Sequence, residues 1–128
     1  MAQYLPFWPK AALGGYLANT GSSDFFSKAL PTNGFTEVVI QMEIDATFGT
    51  NVATTVEVVP QISNDGTNWE DLAPSGLSAP ANGTYPWQDT EKFTDIGAFM
   101  RMKIILTNTE GAVHYMPATV HVTGTGRS

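Results

Sequence analysis

Residues 54–72 read TTVEVVPQISNDGTNWEDL, from Thr54 to Leu72, and this stretch decides the predicted fold. Its apolar side chains recur at every second position, a period typical of a half-buried β-strand. The predicted inner face carries Val56, Val58, Pro60 and Ile62, and the outer face carries Thr55, Glu57, Val59, Gln61 and Ser63. Asp65-Gly66 supplies the positive φ of a two-residue hairpin turn, and Trp69 follows as an apolar anchor. We therefore predict a strand, a tight turn and a returning strand.

The same period recurs elsewhere in the chain. Inward-facing residues are predicted in strands over 35–45 (Val38, Ile40, Met42, Ile44), 98–107 (Met100, Met102, Ile104, Leu106) and 112–123 (Met116, Ala118, Val120, Val122). Residues 84–88 are predicted as an edge strand, because Pro86 cannot donate to a central ladder. No helical period is sustained, so we predict an all-β fold, an antiparallel β-sandwich or jelly roll of about seven or eight strands.

Composition excludes several classes of protein. The 128-residue chain is long enough for one domain with its own core, and its net charge is −6 with only six Lys and Arg. Scattered basic residues argue against nucleic-acid binding, and no apolar run is long enough for a membrane span. Cysteine is absent, which removes disulfides and thiol chemistry. The first residues do not have the pattern of a signal peptide, so we expect synthesis in a cytoplasm without standard export.

The predicted domain organisation is an extended aromatic N-terminal arm, residues 1–12, followed by a single β-sandwich domain, residues 13–128. Pro6 and Pro9 exclude a helix in the arm. Two interpretations stay open: the arm folds back over an edge of its own sandwich, or it docks on a neighbouring subunit. In the second case the partner-binding residues are Tyr4, Leu5, Phe7 and Trp8.

Catalytic and metal-binding patterns are weak. His114 and His121 lie an odd number of residues apart on one predicted strand, hence on opposite faces. Adjacent acids, Glu70 with Asp71 and Asp89 with Glu91, occur near predicted turns. Asn64, Asp65, Asp71 and Asp89 are oxygen donors that leave a calcium site open, although no EF-hand spacing is present. We predict no enzyme, no catalytic residue, no metal ligand and no cofactor.

Ser63-Asn64-Asp65-Gly66-Thr67-Asn68-Trp69, within the segment 61–72, resembles the hairpin of discoidin-like and related carbohydrate-binding jelly rolls. Similar hairpins occur in phage virion proteins, where a later strand has the pattern hydrophobic-Arg-hydrophobic. Met100-Arg101-Met102 resembles that pattern in this chain. The resemblance implies a jelly roll. The acidic domain with its aromatic arm also resembles small phage capsid-decorating (cement) proteins. Those proteins are made in the host cytoplasm, usually trimerise on the head and bridge capsomers.

Two functional hypotheses follow from the resemblance. The first is a non-enzymatic virion structural protein, most simply a homotrimer, that decorates a phage capsid and binds the major capsid protein. The second is a glycan-binding jelly-roll module whose carbohydrate stacks on Trp69, Tyr85 and Trp87.

Overall fold

The computed structural model describes residues 2–13, 16–17, 21–46, 54–72, 77–79, 87–108, 114–115 and 118–128. All regular elements in these ranges are β-strands. They are β1 (Ala2–Leu13), β2 (Tyr16–Leu17), β3 (Gly21–Phe26), β4 (Leu30–Pro31), β5 (Glu37–Ala46), β6 (Thr54–Ser63), β7 (Glu70–Asp71), β8 (Ser78–Ala79), β9 (Trp87–Phe93), β10 (Phe99–Asn108), β11 (His114–Tyr115) and β12 (Ala118–Arg127). Within the described ranges, no helix could serve as a membrane span.

Two antiparallel sheets form the sandwich. One has the strand order β1-β12-β5-β9, and the other has the order β3-β10-β6-β7, with β4 added on β10 and β8 on β6. The first strand pairs with the last, and successive long strands alternate between the sheets, as in a jelly roll. A separate ladder joins β2 and β11. The all-β, antiparallel prediction is confirmed.

The core lies between the sheets and is built by alternate residues of the long strands. The predicted inward sets of β5 and β10 are buried throughout, as are Val120 and Val122 of β12. The predicted Met116 and the side chain of Ala118 lie outside the described residues. Phe7 and Leu77 complete the core from β1 and from the segment before β8. Burial of each such side chain stabilises the fold by about 1.5–3 kcal/mol.

Strand β6 departs from the predicted alternation because both of its faces are covered. Val59, Gln61 and Ser63, predicted to face outward, are less than 9% exposed, whereas Ile62 is partly exposed. Gln61 is held between Arg101 and Asp71, and Ser63 turns its hydroxyl into the loop that follows. The partners of Gln61 come from neighbouring strands, and the partner of Ser63 comes from the loop after β6. The pattern within β6 alone therefore does not reveal them.

The hairpin after β6 is present, but the prediction of a two-residue turn is wrong. Ile62 pairs with Glu70 and Gln61 with Asp71, so seven residues, 63–69, connect the two paired positions. Gly66 does adopt a positive φ of 75°. The loop is longer because side chains close it: the Gly66 N–H donates to Ser63 Oγ, and the Thr67 and Asn68 N–H groups donate to Asp65 Oδ1.

Residues of the predicted arm form β1, an edge strand of the chain's own sheet. The strand pairs with β12 from Ala2↔Arg127 to Leu13↔Ala118, with register shifts between Leu5 and Trp8 and between Trp8 and Ala11. Pro6 and Pro9 fall within these two irregular stretches. Proline cannot donate to a ladder and is tolerated at edges and bulges, which explains how a strand forms here despite two prolines.

The predicted edge strand over 84–88 corresponds to β9, which is the outer strand of its sheet. It begins at Trp87 and continues to Phe93, further than predicted, because residues 87–93 pair with β5 in unbroken register. Tyr85 and Pro86 lie outside the described residues.

Candidate binding surface

A cluster of aromatic, cationic, amide and carboxylate side chains lies on the outer side of the sheet β3-β10-β6-β7. Its members come from four neighbouring segments of that sheet, and we call the cluster the Arg101 face: Phe26, Gln61, Trp69, Asp71, Arg101 and Lys103. Strand β10 lies in the middle, with Lys103 opposite Phe26 of β3 and Arg101 opposite Gln61 of β6. The pleat therefore places these side chains on one surface.

The Arg101 guanidinium stacks against two aromatic rings. Its central carbon lies 4.4 Å from the centroid of the Phe26 ring and 4.4 Å from that of Trp69. Phe26 ends β3 on one side of β10, and Trp69 directly precedes β7 on the other side, so the two rings reach the guanidinium from different segments of the sheet. Each such contact contributes about 0.5–1 kcal/mol at an exposed site. Phe26 remains 46% exposed, an unusual state for a large apolar side chain.

A chain of side-chain hydrogen bonds fixes the position of the Arg101 side chain on the sheet. Arg101 Nε donates to Gln61 Oε1 at 2.7 Å, and Gln61 Nε2 donates to Asp71 Oδ1 at 2.6 Å. Lys103 Nζ lies 3.7 Å from the other oxygen of Asp71. The amide of Gln61, which is 7% exposed, therefore has partners for both its oxygen and its nitrogen. This network holds the guanidinium plane in one orientation.

Strand order decides which acid pairs with the two basic residues, Arg101 and Lys103. Glu43 lies on the other sheet, and Glu57 is opposite Ile105. The returning strand instead brings Asp71 next to Gln61, and that pairing supplies the carboxylate.

Of the residues predicted for glycan binding, the structure describes Trp69 in full and only the backbone of Trp87. Trp69 is partly exposed and belongs to the Arg101 face, whereas Trp87 opens β9 in the opposite sheet. Tyr85 and the side chain of Trp87 lie outside the described residues. Sequence periodicity did not reveal this separation, since it depends on which sheet each strand joins.

The four residues predicted to bind a partner from the N-terminal arm have different environments. Leu5 and Phe7 are 2% and 1% exposed, so they are core residues of this chain and not exposed contacts of an arm. Trp8 is partly buried against the same core, and its Nε1 is buried without a hydrogen-bond partner among the described residues. Tyr4 is 60% exposed and pairs through its backbone with Thr125.

The oxygen donors considered for calcium are dispersed. Asp65 is engaged in its own loop, where the backbone N–H groups of Asn68 and Thr67 hold the pKa of its carboxyl well below the ordinary value of 3.8. Asp71 pairs with Gln61 and Lys103, and Asp89 lies on β9 of the other sheet. Across the described ranges, no group of three or more His, Cys, Asp or Glu side chains is arranged to hold a metal ion.

A shallow groove crosses the opposite sheet. It has a volume of about 420 Å³ and is lined by Lys10, Glu43, Ile44, Asp45, Gln88, Thr119 and His121. His121 Nδ1 lies 3.2 Å from Glu43 Oε2, and Gln41 donates to the other oxygen of Glu43. Both carboxylate oxygens of Glu43 therefore have partners within the sheet. The side chain of His114, the other histidine, lies outside the described residues.

Structural comparison places this fold among known proteins, although no known protein family matches the sequence and no curated protein is similar to it. The Yersinia pseudotuberculosis-derived mitogen aligns with a TM-score of 0.50 and 10% identity, over 91% of this chain and 86% of that one. A chain from the infectious bursal disease virus Gx strain aligns with a TM-score of 0.54 and 12% identity, over 98% of this chain. The Gt strain gives a TM-score of 0.54 and 8% identity.

These similarities concern the fold alone. Each alignment is at or below 12% identity, and this chain spans only 31% of the length of either viral chain. A carbohydrate-binding module, TmCBM61 in complex with β-1,4-galactotriose, aligns with a lower TM-score of 0.45 over 87% of this chain. The strand order and the alignments with the two viral chains confirm the jelly-roll prediction.

Trp69 is the member of the Arg101 face that the sequence predicted as a binding residue, and Phe26 is its exposed aromatic member that was not predicted. Phe26 is the last residue of β3 (Gly21–Phe26). Pairing of β3 with β10 sets the alternation: Phe25 packs on the core while Phe26 faces outward beside Lys103. The doublet Phe25-Phe26 was the available signal, because two adjacent aromatics on a strand must face opposite sides.

Proposed function

We propose that this chain is a non-enzymatic structural protein of a virion that self-associates through the Arg101 face. The observation that supports this function best is the Phe26–Arg101–Trp69 stack on the outer side of its sheet, in which Phe26 is 46% exposed. An aromatic and cationic surface that stacking and hydrogen bonds hold in place suits contact with another protein better than it suits chemistry on a small substrate.

The composition of the face favours a protein partner. Aromatic residues and Arg are enriched in the centres of protein interfaces, and Trp and Arg dominate the residues whose truncation weakens binding. Stacking and hydrogen bonds already restrict the Arg101 side chain. Its immobilisation on binding should therefore cost less than the usual ~0.5–1.5 kcal/mol for a flexible side chain.

Other surfaces of the described chain are less suited to association. Strand β1 is an edge, but Pro6, Pro9 and two register shifts interrupt its outward row of backbone groups. Such interruptions are how natural sheets prevent edge-to-edge pairing. The opposite edge, β9, carries Asp89, Glu91 and Lys92, and charged residues likewise oppose pairing.

The finer proposal is a bacteriophage capsid decoration protein. In that role the chain forms a homotrimer on the virion surface and bridges copies of the major capsid protein. Support comes from the sequence resemblance to cement proteins and from a fold of the kind found in the bursal disease virus chain. Synthesis in the host cytoplasm and the absence of nucleic-acid and membrane partners belong to the same proposal.

Sedimentation velocity over a range of concentrations tests self-association. We expect the wild-type protein to form an oligomer, most simply a trimer, and Phe26→Ala to shift it to the monomer. Tyr4→Ala is the matched control, because Tyr4 is an exposed aromatic residue on the other sheet. A wild-type protein that stays monomeric at all concentrations, or a Tyr4→Ala variant that dissociates while Phe26→Ala does not, contradicts the proposal.

Glycan binding is the second candidate, and the exposed part of Trp69 is the observation that favours it. Here Trp69→Ala is expected to abolish binding on a glycan array without changing the oligomeric state. Loss of the oligomer in Trp69→Ala, with no glycan bound by the wild-type protein, leaves the structural role as the explanation of this surface.

A further inference from the structure

We infer that Arg101 is a preformed receptor for a carboxylate, and that the carboxylate comes from a neighbouring copy of this chain in the oligomer. This inference rests on the proposed self-association and names the chemistry of its central contact. It goes further than the aromatic stack, because it assigns a polar ligand to the two terminal nitrogens of Arg101.

Those terminal nitrogens are unused within the described chain. Arg101 Nε donates to Gln61 Oε1, and the central carbon of the guanidinium lies 4.4 Å from the centroids of the Phe26 and Trp69 rings. Among the described residues, no acceptor bonds to either Nη atom. Asp71 does not take this role, since its oxygens are engaged by Gln61 and Lys103. The Nη edge of this fixed, planar cation is therefore available for a ligand, and the Arg101 side chain is partly exposed.

A carboxylate is the ligand that such an edge fits best. The planar guanidinium presents parallel N–H donors at the spacing of two carboxylate oxygens, and such charge-assisted pairs are stronger than neutral hydrogen bonds. An ordinary ion pair on a protein surface contributes little stability, because its formation orders two long side chains. Here the cationic side chain is already ordered.

Charge complementarity points to a second copy as the source of the carboxylate. The chain has twelve Asp and Glu against six Lys and Arg, so carboxylates are the surplus charge on its surface. Two acidic copies repel each other, and a fixed cation that meets a carboxylate at the contact offsets part of this repulsion. In a cyclic trimer the contact is head to tail, so the Arg101 face of one copy meets a different surface of the next.

The first experiment distinguishes the effect of the planar guanidinium from the effect of the positive charge. Dissociation constants of the oligomer are measured by sedimentation equilibrium for Arg101→Lys and Arg101→Gln, with Lys92→Gln as the control. Lys92 is a 62% exposed cation on the other sheet, so its substitution removes the same charge elsewhere. We expect both Arg101 variants to associate about tenfold to a hundredfold more weakly than the wild type, and Lys92→Gln to match it.

The second experiment asks whether the bound group is a carboxylate. Sodium acetate is compared with sodium chloride at equal ionic strength as a competitor of self-association. Acetate is expected to dissociate the wild-type oligomer more than chloride does, and to have no such excess effect on Arg101→Lys. Circular dichroism of each variant establishes that the sandwich is folded.

The outcomes distinguish this inference from the proposed function. If Phe26→Ala dissociates the oligomer but Arg101→Lys associates like the wild type, the face is an interface and the carboxylate receptor is wrong. Equal effects of acetate and chloride on the wild type also overturn the receptor. If the wild-type protein does not self-associate, the proposed function fails and the receptor fails with it.

Discussion

The carboxylate of Asp65 organises the loop after β6 by accepting hydrogen bonds from two backbone N–H groups and from the side chain of Asn68. These donors favour the charged form, so the pKa of the carboxyl is lowered in the folded protein. A carboxyl with a lowered pKa contributes stability at every pH above its unfolded value of 3.8, and this contribution declines as the pH falls below that value.

Asp65→Asn tests this electrostatic role. At neutral pH the variant should be less stable than the wild type, because the amide is a weaker acceptor than the carboxylate. The difference in stability between the two proteins should narrow as the pH falls below 3.8. There the carboxyl of the unfolded wild-type chain becomes protonated, so the advantage of the charged form in the folded state shrinks. Urea unfolding at successive pH values measures it, with Asp95→Asn as a control for the loss of one charge. A difference that stays constant with pH would refute the assignment.

Gly126 is required by a close approach to an aromatic ring. A Cβ at this position would lie 2.5 Å from Cε2 of Phe35, closer than any ordinary contact. We expect Gly126→Ala to destabilise the fold by about 1–3 kcal/mol, the range of overpacked cores. Introduced into a Phe35→Leu background, the same substitution should cost less, because the ring is gone. A double-mutant cycle from thermal unfolding measures this coupling, and strictly additive effects would contradict the steric account.

At the scale of elements, the sequence predicts the long strands well because each has a single buried face. Val38 to Ile44 and Met100 to Leu106 alternate as the buried residues of β5 and β10 do. Strand β6 is different: its outer side is closed by Arg101 and Asp71, which reach Gln61 from neighbouring strands. Partners distant in sequence decide that burial, so no local period predicts it.

Strand β1 also shows what a local pattern leaves undetermined. Prolines and aromatics identify residues 1–12 as extended, but they are compatible with docking in the same chain or on another one. Pairing with β12 and the burial of Leu5 and Phe7 place the segment in the chain's own sheet. The bulges around Trp8 allow two prolines in one strand, and sequence alone does not specify their register.

Truncation at the N-terminus is therefore expected to unfold the domain. Removing residues 1–9 deletes Leu5 and Phe7, and loss of one such core side chain alone costs about 2–5 kcal/mol, against a typical total stability of about 5–15 kcal/mol. Tyr4→Ala should change the stability by no more than about 0.5 kcal/mol, as expected for an exposed position. Circular dichroism and thermal melting compare the two proteins. A truncated chain that melts like the wild type would contradict the role of β1.

On the scale of the whole molecule, the two sheets present different outer surfaces. The sheet β3-β10-β6-β7 carries the stacked Arg101 face, whereas the sheet β1-β12-β5-β9 carries the His121–Glu43 pair and the groove around it. Sequence reasoning identified Trp69 as a candidate contact residue. It did not bring Trp69 together with Arg101 and Phe26, because their meeting depends on the order of strands across the sheet.

The most direct test of self-association through the Arg101 face is hydroxyl-radical footprinting at low and high protein concentration. Phe26 and Tyr4 are both exposed aromatic side chains, 46% and 60% respectively, on opposite sheets of the same molecule. As the concentration rises, the oxidation rate of Phe26 should fall, together with that of Trp69, while the rate of Tyr4 stays constant. Unchanged oxidation of Phe26 across the range, or protection of Tyr4 in its place, would contradict the account.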